Sequence, residues 1–560
     1  MKAARLGGAA GASAVAVGIL AFYAARLFMP LPIFAADEAA YLIHGLYAPE
    51  LVARNPYVAT INTGASLSLV RIAYRLGGDY IVWDRLADSA VYLSGLLALW
   101  GFSARGFGAW ERWALLLIAI GFPYYRFAFS NLPEGLYVGV VALMGVATAQ
   151  LYQRRPMVHA VTIGALAALL VLIKPHGVAM VAAMAVVAVL ESQFSRRPGQ
   201  LAVRIGLFAA TFLVLGNLIQ HGAHEPVENP LTFFVGGFYG QRVGADLALR
   251  AVWYGGLTLG SMAAALALLA GAPLVIGLGD LLGRWRRAGG GLQLTGDDLA
   301  FLLFVLGATA TLPMVAIFMS KIANDASETA RLGGRYFEFF APLIWLTAGP
   351  ALARFDARRN RTTGLAAAGV VAAGLAGLLV SLRAGVVLLP WDSASLTAFF
   401  AADPVRAALT EPLPFRGLAV LATLLAAAAL VMGARPAWIG AGHILALGVL
   451  STALDAQWIG PMVAERTALN QDIAAIRPRL PPEAGSVLLL ATDANDGHLA
   501  FLQLQARPRV ILGPPAQAPL QALAGISAVV TSSPATPPGS GWRQSYSGSV
   551  LSLYERASQP

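Results

Sequence analysis

The chain contains no cysteine in 560 residues. That absence removes disulfides, zinc–thiolate centres and thiol nucleophiles together, and it suits a chain with large parts in an oxidising compartment. Lysine is nearly absent as well. Lys2, Lys174 and Lys321 are the only three, so the formal net charge of +10 is almost all arginine, set in short loops rather than in a nucleic-acid-binding stripe. Charge of either sign is scarce, at 12% of residues against 58% hydrophobic, and the mean hydropathy is +0.67. So little polar surface cannot cover a soluble protein of this length. A nucleotide fingerprint is missing too. The run RAGGGLQLTGDD at 287–298 lacks the Lys and Ser/Thr of a phosphate loop, follows no strand, and reads as a flexible connector.

What is present is a series of long apolar runs. A helix crossing a bilayer core of about 30 Å needs roughly 20 apolar residues, because its backbone must satisfy its own hydrogen bonds there. Thirteen segments meet that demand, near 7–29, 82–101, 113–129, 134–152, 157–173, 176–193, 201–220, 251–279, 299–320, 336–353, 364–382, 416–434 and 437–457. Alternate loops carry the arginines: 105 and 112; 154 and 155; 196, 197 and 204; 284, 286 and 287; 354, 358, 359 and 361; and 435. With Lys2 and Arg5 they fall on one side, which the positive-inside rule makes cytoplasmic. The first run has no small-residue cleavage site followed by a soluble domain, so it is expected to stay as a helix. An odd number of crossings then places the C-terminus outside.

The pattern changes near residue 466. SVLLLA (486–491), PRVILG (508–513), SAVVTS (527–532) and VLSLYE (550–555) read as strands, with a helix near 496–506 between the first two. The expected architecture is therefore a polytopic α-helical membrane domain over 1–465, with an amphipathic first outer loop at 30–81, followed by a small extracytoplasmic α/β domain over 466–560. Asp493, Asp496 and His498 stand at the carboxyl end of the first strand, where an open α/β sheet places ligands; turn and helix-cap chemistry explains them equally simply.

The chemically mixed loops, 30–81, 221–250, 321–335, 383–415 and everything after 458, all lie on the outer side in this topology. In the first of them ADEAAYLIHGLY has helical spacing. Asp37, Tyr41 and His44 share a face and Glu38 points about 100° away, as on an amphipathic helix lying along the membrane surface. Carboxylates at that place sit beside lipid headgroups; capping of a helix N-terminus is the plainer use for an Asp-Glu pair. Lys174, in LIKPHG at the end of an apolar run, is a costly place for an ammonium unless it has a partner or snorkels to the interface. HGAHEPVE supplies His221, His224, Glu225 and Glu228, donor types suited to a divalent cation, although Pro226 and the irregular spacing fit a solvated loop.

The order and sidedness of several motifs resemble one family. Asp-Glu directly after the first helix, SNLPEGLYVGVVAL at 130–143, LLVLIKPHGVAM at 169–180 and GGRYFEFFAPLIWL at 333–346 look like the GT-C superfamily of integral-membrane glycosyltransferases, which includes protein O-mannosyltransferases and lipid A aminoarabinose transferases. The resemblance spans essentially the whole chain. It implies a sugar donor carried on a polyprenyl phosphate, an acceptor (lipid, glycan or protein) activated from the outer face of the bacterial cytoplasmic membrane, and no nucleic-acid partner. Asp37 matches the family's first-loop acidic residue, the general base, with Glu38 a second carboxylate; the two roles can also be exchanged. Direct displacement at the anomeric carbon asks for one base and no protein acid, since a lipid phosphate is already a good leaving group. Lys174, His176, Arg242, Lys321, Arg331, Arg335 and Tyr336 are the residues implied for the donor phosphate, Arg335 first because a guanidinium grips phosphate oxygens in pairs. Tyr41, His44 and Glu134 are implied for the substrate pocket. The resemblance fixes no cofactor; members differ over a divalent metal, for which His221, His224 and Glu228 are the residues to watch. A glycan polymerase or ligase of the O-antigen type, a transporter of lipid-linked glycans and a non-catalytic scaffold are the alternatives. A transporter calls for charges in mid-membrane and inverted halves, neither evident in the sequence.

Overall fold

The computed structural model describes residues 2–28, 35–46, 64–77, 79–195, 198–222, 245–288, 293–322, 330–356, 359–389, 392–399, 413–480, 487–491, 509–512, 525–533 and 541–557. Helix α1 (Lys2–Leu27) leads to two short helices of the first loop, α2 (Ala35–Leu46) and α3 (Gly64–Leu76). Asp79 caps α4 (Tyr80–Ser103), its Oδ1 accepting from Val82 N at 3.3 Å. Next come α5 (Ala109–Gly121), the single-turn α6 (Tyr125–Ala128), α7 (Glu134–Leu151), α8 (Pro156–Ile173), α9 (Gly177–Ser195) and α10 (Pro198–Gly222). The long α11 (Ala245–Arg287) and α12 (Gly296–Ile322) precede a broken stretch, α13 (Phe340–Thr347) and α14 (Gly349–Arg354). The helical part closes with α15 (Arg361–Arg383), α16 (Leu413–Val431) and α17 (Pro436–Ile476).

Among the described residues, eight helices are long and apolar enough to cross a membrane, and 11–25, 177–192 and 415–431 form shorter apolar ones. The protein is a multi-pass membrane protein. Two of the thirteen expected spans are not continuous helices. The run 113–129 stops at Gly121 because Pro123 has no amide hydrogen to continue the ladder, and Phe122 turns extended at ψ 120°. The run 336–353 is split at Ala348, where Gly349-Pro350 starts a new helix. Apolar residues that would be anomalous on a soluble protein cover the outside: in the most apolar 18 residues of the 199–220 stretch only 11% are buried, as expected of a face turned to lipid.

Small residues let the buried helices approach backbone to backbone. A Cβ on Gly139 of α7 would lie 2.4 Å from the Val91 carbonyl oxygen of α4, and one on Gly95 would lie 2.5 Å from Gly139 O. On the side of the arginine-rich loops, the connector before α12 ends in a reciprocal cap: Thr295 N donates to Asp298 Oδ2 at 2.8 Å and Asp298 N to Thr295 Oγ1 at 3.3 Å. Arg284 ties α11 to Asp280 and Asp298, and Arg354 joins the same Asp280 at 2.8 Å. The 287–298 run is thus a capped turn at its end, which the glycines alone concealed.

The C-terminal region holds a five-stranded sheet in the order β2-β1-β3-β5-β4. Strands β1 (Val487–Ala491), β2 (Arg509–Leu512) and β3 (Ala528–Ser532) are parallel; β4 (Trp542–Ser547) and β5 (Leu551–Arg556) form a hairpin that adds antiparallel to β3. Four of these strands match the expected runs. The fifth, WRQSYS, is a polar edge strand with little hydrophobic signal. The expected helix at 496–506 and the residues Asp493, Asp496 and His498 lie outside the described residues. Helix α17 runs unbroken through residue 466 to the sheet.

Replacing Gly139 by Ala is expected to lower the thermal unfolding midpoint in detergent, by the equivalent of about 1–3 kcal/mol of overpacking. Gly101→Ala in α4, where a Cβ meets nothing within 4 Å, serves as the control and should be neutral or stabilising. Equal midpoints for both variants would contradict the close α4–α7 packing.

Candidate functional site

Three of the motifs meet at one point, each brought there by a local backbone device. In LIKPHG, Pro175 excludes the helical conformation for the residue before it. Lys174 is accordingly extended (φ −149°, ψ 139°), α8 ends, and the ammonium turns inward. The chain then reverses in a tight turn, Gly177 N donating to Lys174 O at 2.9 Å; a Cβ on Gly177 would sit 2.7 Å from Val171 N, so glycine is required. In SNLPEG, Glu134 occupies the first turn of α7, where the helix dipole favours a carboxylate. In GGRYFEFF, Gly333 takes a left-handed φ of 61° and the chain enters a 3-10 turn, Gly334–Tyr336.

These devices deliver five of the expected residues to one small pocket, lined by Glu134, Lys174, His176, Arg335 and Tyr336 together with Tyr124, Tyr137 and Phe339. Lys174 Nζ lies 2.5 Å from Glu134 Oε1, and Arg335 Nε lies 4.0 Å from the same oxygen. Both cations lie over the Tyr336 ring, at 4.8 and 4.9 Å from its centroid, and Arg335 Nη2 donates to Tyr336 Oη at 2.7 Å. His176 stacks on the other partners' ring, Tyr336, at 5.1 Å and 16°. Tyr124 Oη donates to Arg335 O at 2.5 Å. Two cations, one carboxylate and an aromatic floor therefore converge in a nearly water-free place.

The Arg335 turn is itself held from behind. Arg335 N donates to Asp392 O at 2.7 Å, and buried Glu338 accepts from Ser393 Oγ, from Ala394 N at 3.1 Å and from Ser395 N at 2.9 Å. Arg126 grips the same 392–397 loop through Ser393 O and Thr397 Oγ1 and pairs with Asp455 at 2.5 Å. Arg331 points elsewhere, 3.4 Å from Asp392.

In the first loop the expected helix is present and one flank of it is buried. Glu38 is fully buried: its Oε1 accepts from Asn131 N at 2.6 Å and stands 3.9 Å from Arg85 Nη2. Asn131 in turn accepts from Arg85 Nε at 2.9 Å and donates to Asp84 Oδ2 at 3.0 Å. Leu42 and Ile43 of α2 are buried in one apolar cluster with Val70 of α3, Leu469 and Ile473 of α17 and residues of the C-terminal sheet, so one flank of this helix packs on protein. Tyr41 is partly buried against the main core. Asp37 and His44 lie on α2, their side chains outside the described residues, as are the side chains of Lys321 and His221 and all of Arg242, His224, Glu225 and Glu228. Among the described residues no three His, Asp or Glu side chains are grouped to hold a metal ion.

Sequence reasoning missed Asp84, Arg85, Asp88, Arg126 and Asp455, all buried. The signal existed: each is an ionisable residue inside or beside an apolar run, the usual mark of a structural or functional partner in a membrane.

No protein-family model and no curated protein matches the sequence. Among solved structures, ArnT from Cupriavidus metallidurans in the apo state has a TM-score of 0.51 at 18% identity, covering 98% of each chain. The chain shares the fold of ArnT. ArnT bound to undecaprenyl phosphate gives 0.50 at 18% identity, over 97% of this chain and 98% of ArnT. The likeness of fold runs along the full length, and the Lys174–Glu134 cluster lies at helix ends within it.

His176 lies in the turn between α8 and α9, and burial, reinforced by Lys174 and Arg335, lowers its pKa from 6.5 to about 3. Between those values the folded protein holds fewer protons at this residue than the unfolded chain, so His176 makes stability fall as pH drops below 6.5 and contributes nothing above it. Thermal unfolding at pH 7.5 and pH 5 should show wild type losing more stability than His176→Gln. Equal losses would show that His176 protonates in place.

Proposed function

We propose that the protein is an inverting glycosyltransferase that moves a sugar from a polyprenyl-phosphate donor to an acceptor at the outer face of the bacterial cytoplasmic membrane. The observation that carries this reading is the Lys174–Arg335–Tyr336 cluster, closed by Glu134, in a chain with the GT-C fold. A lipid phosphate needs buried cations within reach of the bilayer, and a guanidinium beside an ammonium over one aromatic ring offers both a paired grip and a point charge. Glu134 would hold the place of the phosphate between turnovers. The donor's tail would stay in lipid while its headgroup enters the cavity.

In the reaction, the acceptor oxygen bonds to the anomeric carbon, the anomeric C–O bond to phosphate breaks, and its electron pair leaves with the polyprenyl phosphate. Lys174 and Arg335 would stabilise that leaving charge in a site from which water is excluded. The acceptor proton goes to a carboxylate. Asp37 is assigned this role, since Glu38 is fully buried with its Oε1 engaged by Asn131 and Arg85; Glu38 would fix the start of α2. The C-terminal sheet would then lie on the outer side, as a domain following the membrane part.

The test is transfer from synthetic polyprenyl-phosphate sugars by the purified protein, together with mass spectrometry of the lipid-linked sugars that accumulate when the gene is deleted. Asp37→Asn is expected to lower kcat about 100- to 10000-fold, and Arg335→Ala to raise the donor KM. Full activity in Asp37→Asn removes it as the base; unchanged donor affinity in Arg335→Ala removes the phosphate assignment.

A further inference from the structure

Helix α2 has 12 residues, about the length at which an isolated helix is marginal in water, so its position is set by what it packs on. Three contacts fix it. At its start Glu38 accepts from Asn131 N at 2.6 Å, and near its end Gly45 O accepts from Arg71 Nε of α3 at 2.9 Å. Along its flank, Leu42 (0% exposed) and Ile43 (3%) enter one buried cluster with Leu469 and Ile473 of α17 and Leu551 and Leu553 of β5. The C-terminal sheet thus shares one apolar cluster with α2, α3 and α17.

The sheet is in turn clamped to α17. Asp472, 4% exposed, accepts three hydrogen bonds from the β4–β5 hairpin: from Tyr546 Oη at 2.8 Å, Val550 N at 2.7 Å and Leu551 N at 2.9 Å. The fit is close: a Cβ on Gly548, in the hairpin turn, would lie 2.1 Å from Asp472 Oδ1. A carboxylate taking two backbone N–H groups and a phenol is a strong link, and it joins the hairpin to a helix that comes straight from the membrane domain.

We propose that the C-terminal sheet is the positioning element for the helix that carries Asp37, with Asp472 and Leu42 as its positioning residues. This inference rests on the transferase reading above. A misplacement of about 1 Å can cost about 100-fold in rate without loss of binding, so the domain would govern turnover while the phosphate cluster, built on α7, α8 and the Arg335 turn, keeps its affinity.

The experiment combines hydrogen exchange of the 35–46 segment with kinetics and undecaprenyl-phosphate binding on the full-length protein. Leu42→Ala and Asp472→Ala are expected to speed exchange in 35–46 about tenfold or more and to lower kcat about 10- to 100-fold, with lipid-phosphate affinity within about twofold of wild type. Leu42→Met, which conserves volume, should restore both exchange and kcat. Unchanged exchange in 35–46 for Asp472→Ala and Leu42→Ala overturns the coupling; faster exchange with normal kcat overturns the positioning role. If the wild-type protein transfers no sugar from any polyprenyl-phosphate donor, the transferase reading fails, and exchange still decides whether the sheet holds α2.

Discussion

The structure turns on one interaction, the ion pair between Lys174 and Glu134 at 2.5 Å, buried where the helix ends meet. An ammonium in such a place is tolerated only if its charge is matched, and breaking a buried pair by removing one partner typically costs about 3–5 kcal/mol. Every element nearby serves the match. Pro175 turns Lys174 inward, the start of α7 favours the Glu134 carboxylate, and the Gly333 turn lays Tyr336 under both cations. A protein built for stability alone would fill this space with leucine at lower cost. Retaining two cations around one carboxylate makes sense where an outside anion takes the carboxylate's place.

That site is rigid because it is supported on two sides. Behind it, Glu338 and Arg126 bind the 392–397 loop to the Arg335 turn through backbone and side-chain hydrogen bonds. Beside it, glycines at 95 and 139 bring α4 and α7 into backbone contact, which fixes Glu134 at the head of α7. The first-loop helix is held separately, by Glu38 against Asn131 and by Leu42 against the sheet. The cation cluster and the first-loop helix thus rest on different parts of the chain.

Much of this was legible in the sequence because its causes are local. Pro175 after Lys174, Pro133 before Glu134 and the Gly333-Gly334 pair are readable signals for turns, and an ammonium at the end of an apolar run asks for a partner. Motif order and sidedness named Glu134, Lys174, His176, Arg335 and Tyr336 among a longer set of candidates, and the fold brings these five to one pocket. What escaped depends on long-range packing. That Glu38 is buried and engaged requires Asn131 and Arg85, 93 and 47 residues away. The Arg126–Asp455 pair joins residues 329 apart. Strand β4 carries too few apolar residues to announce itself, and the breaks at 122–124 and 348–349 lie inside runs apolar enough to pass for spans.

Binding of undecaprenyl phosphate to purified wild type, Lys174→Gln and Glu134→Gln tests the central claim most directly. If Glu134 holds the place of a phosphate, Lys174→Gln should weaken binding about 100-fold, and Glu134→Gln, which leaves the ammonium in need of an anion, should strengthen it about tenfold, or 1.4 kcal/mol. Wild-type affinity in Lys174→Gln, or weaker binding in Glu134→Gln, would contradict the account and leave the pair a structural bridge.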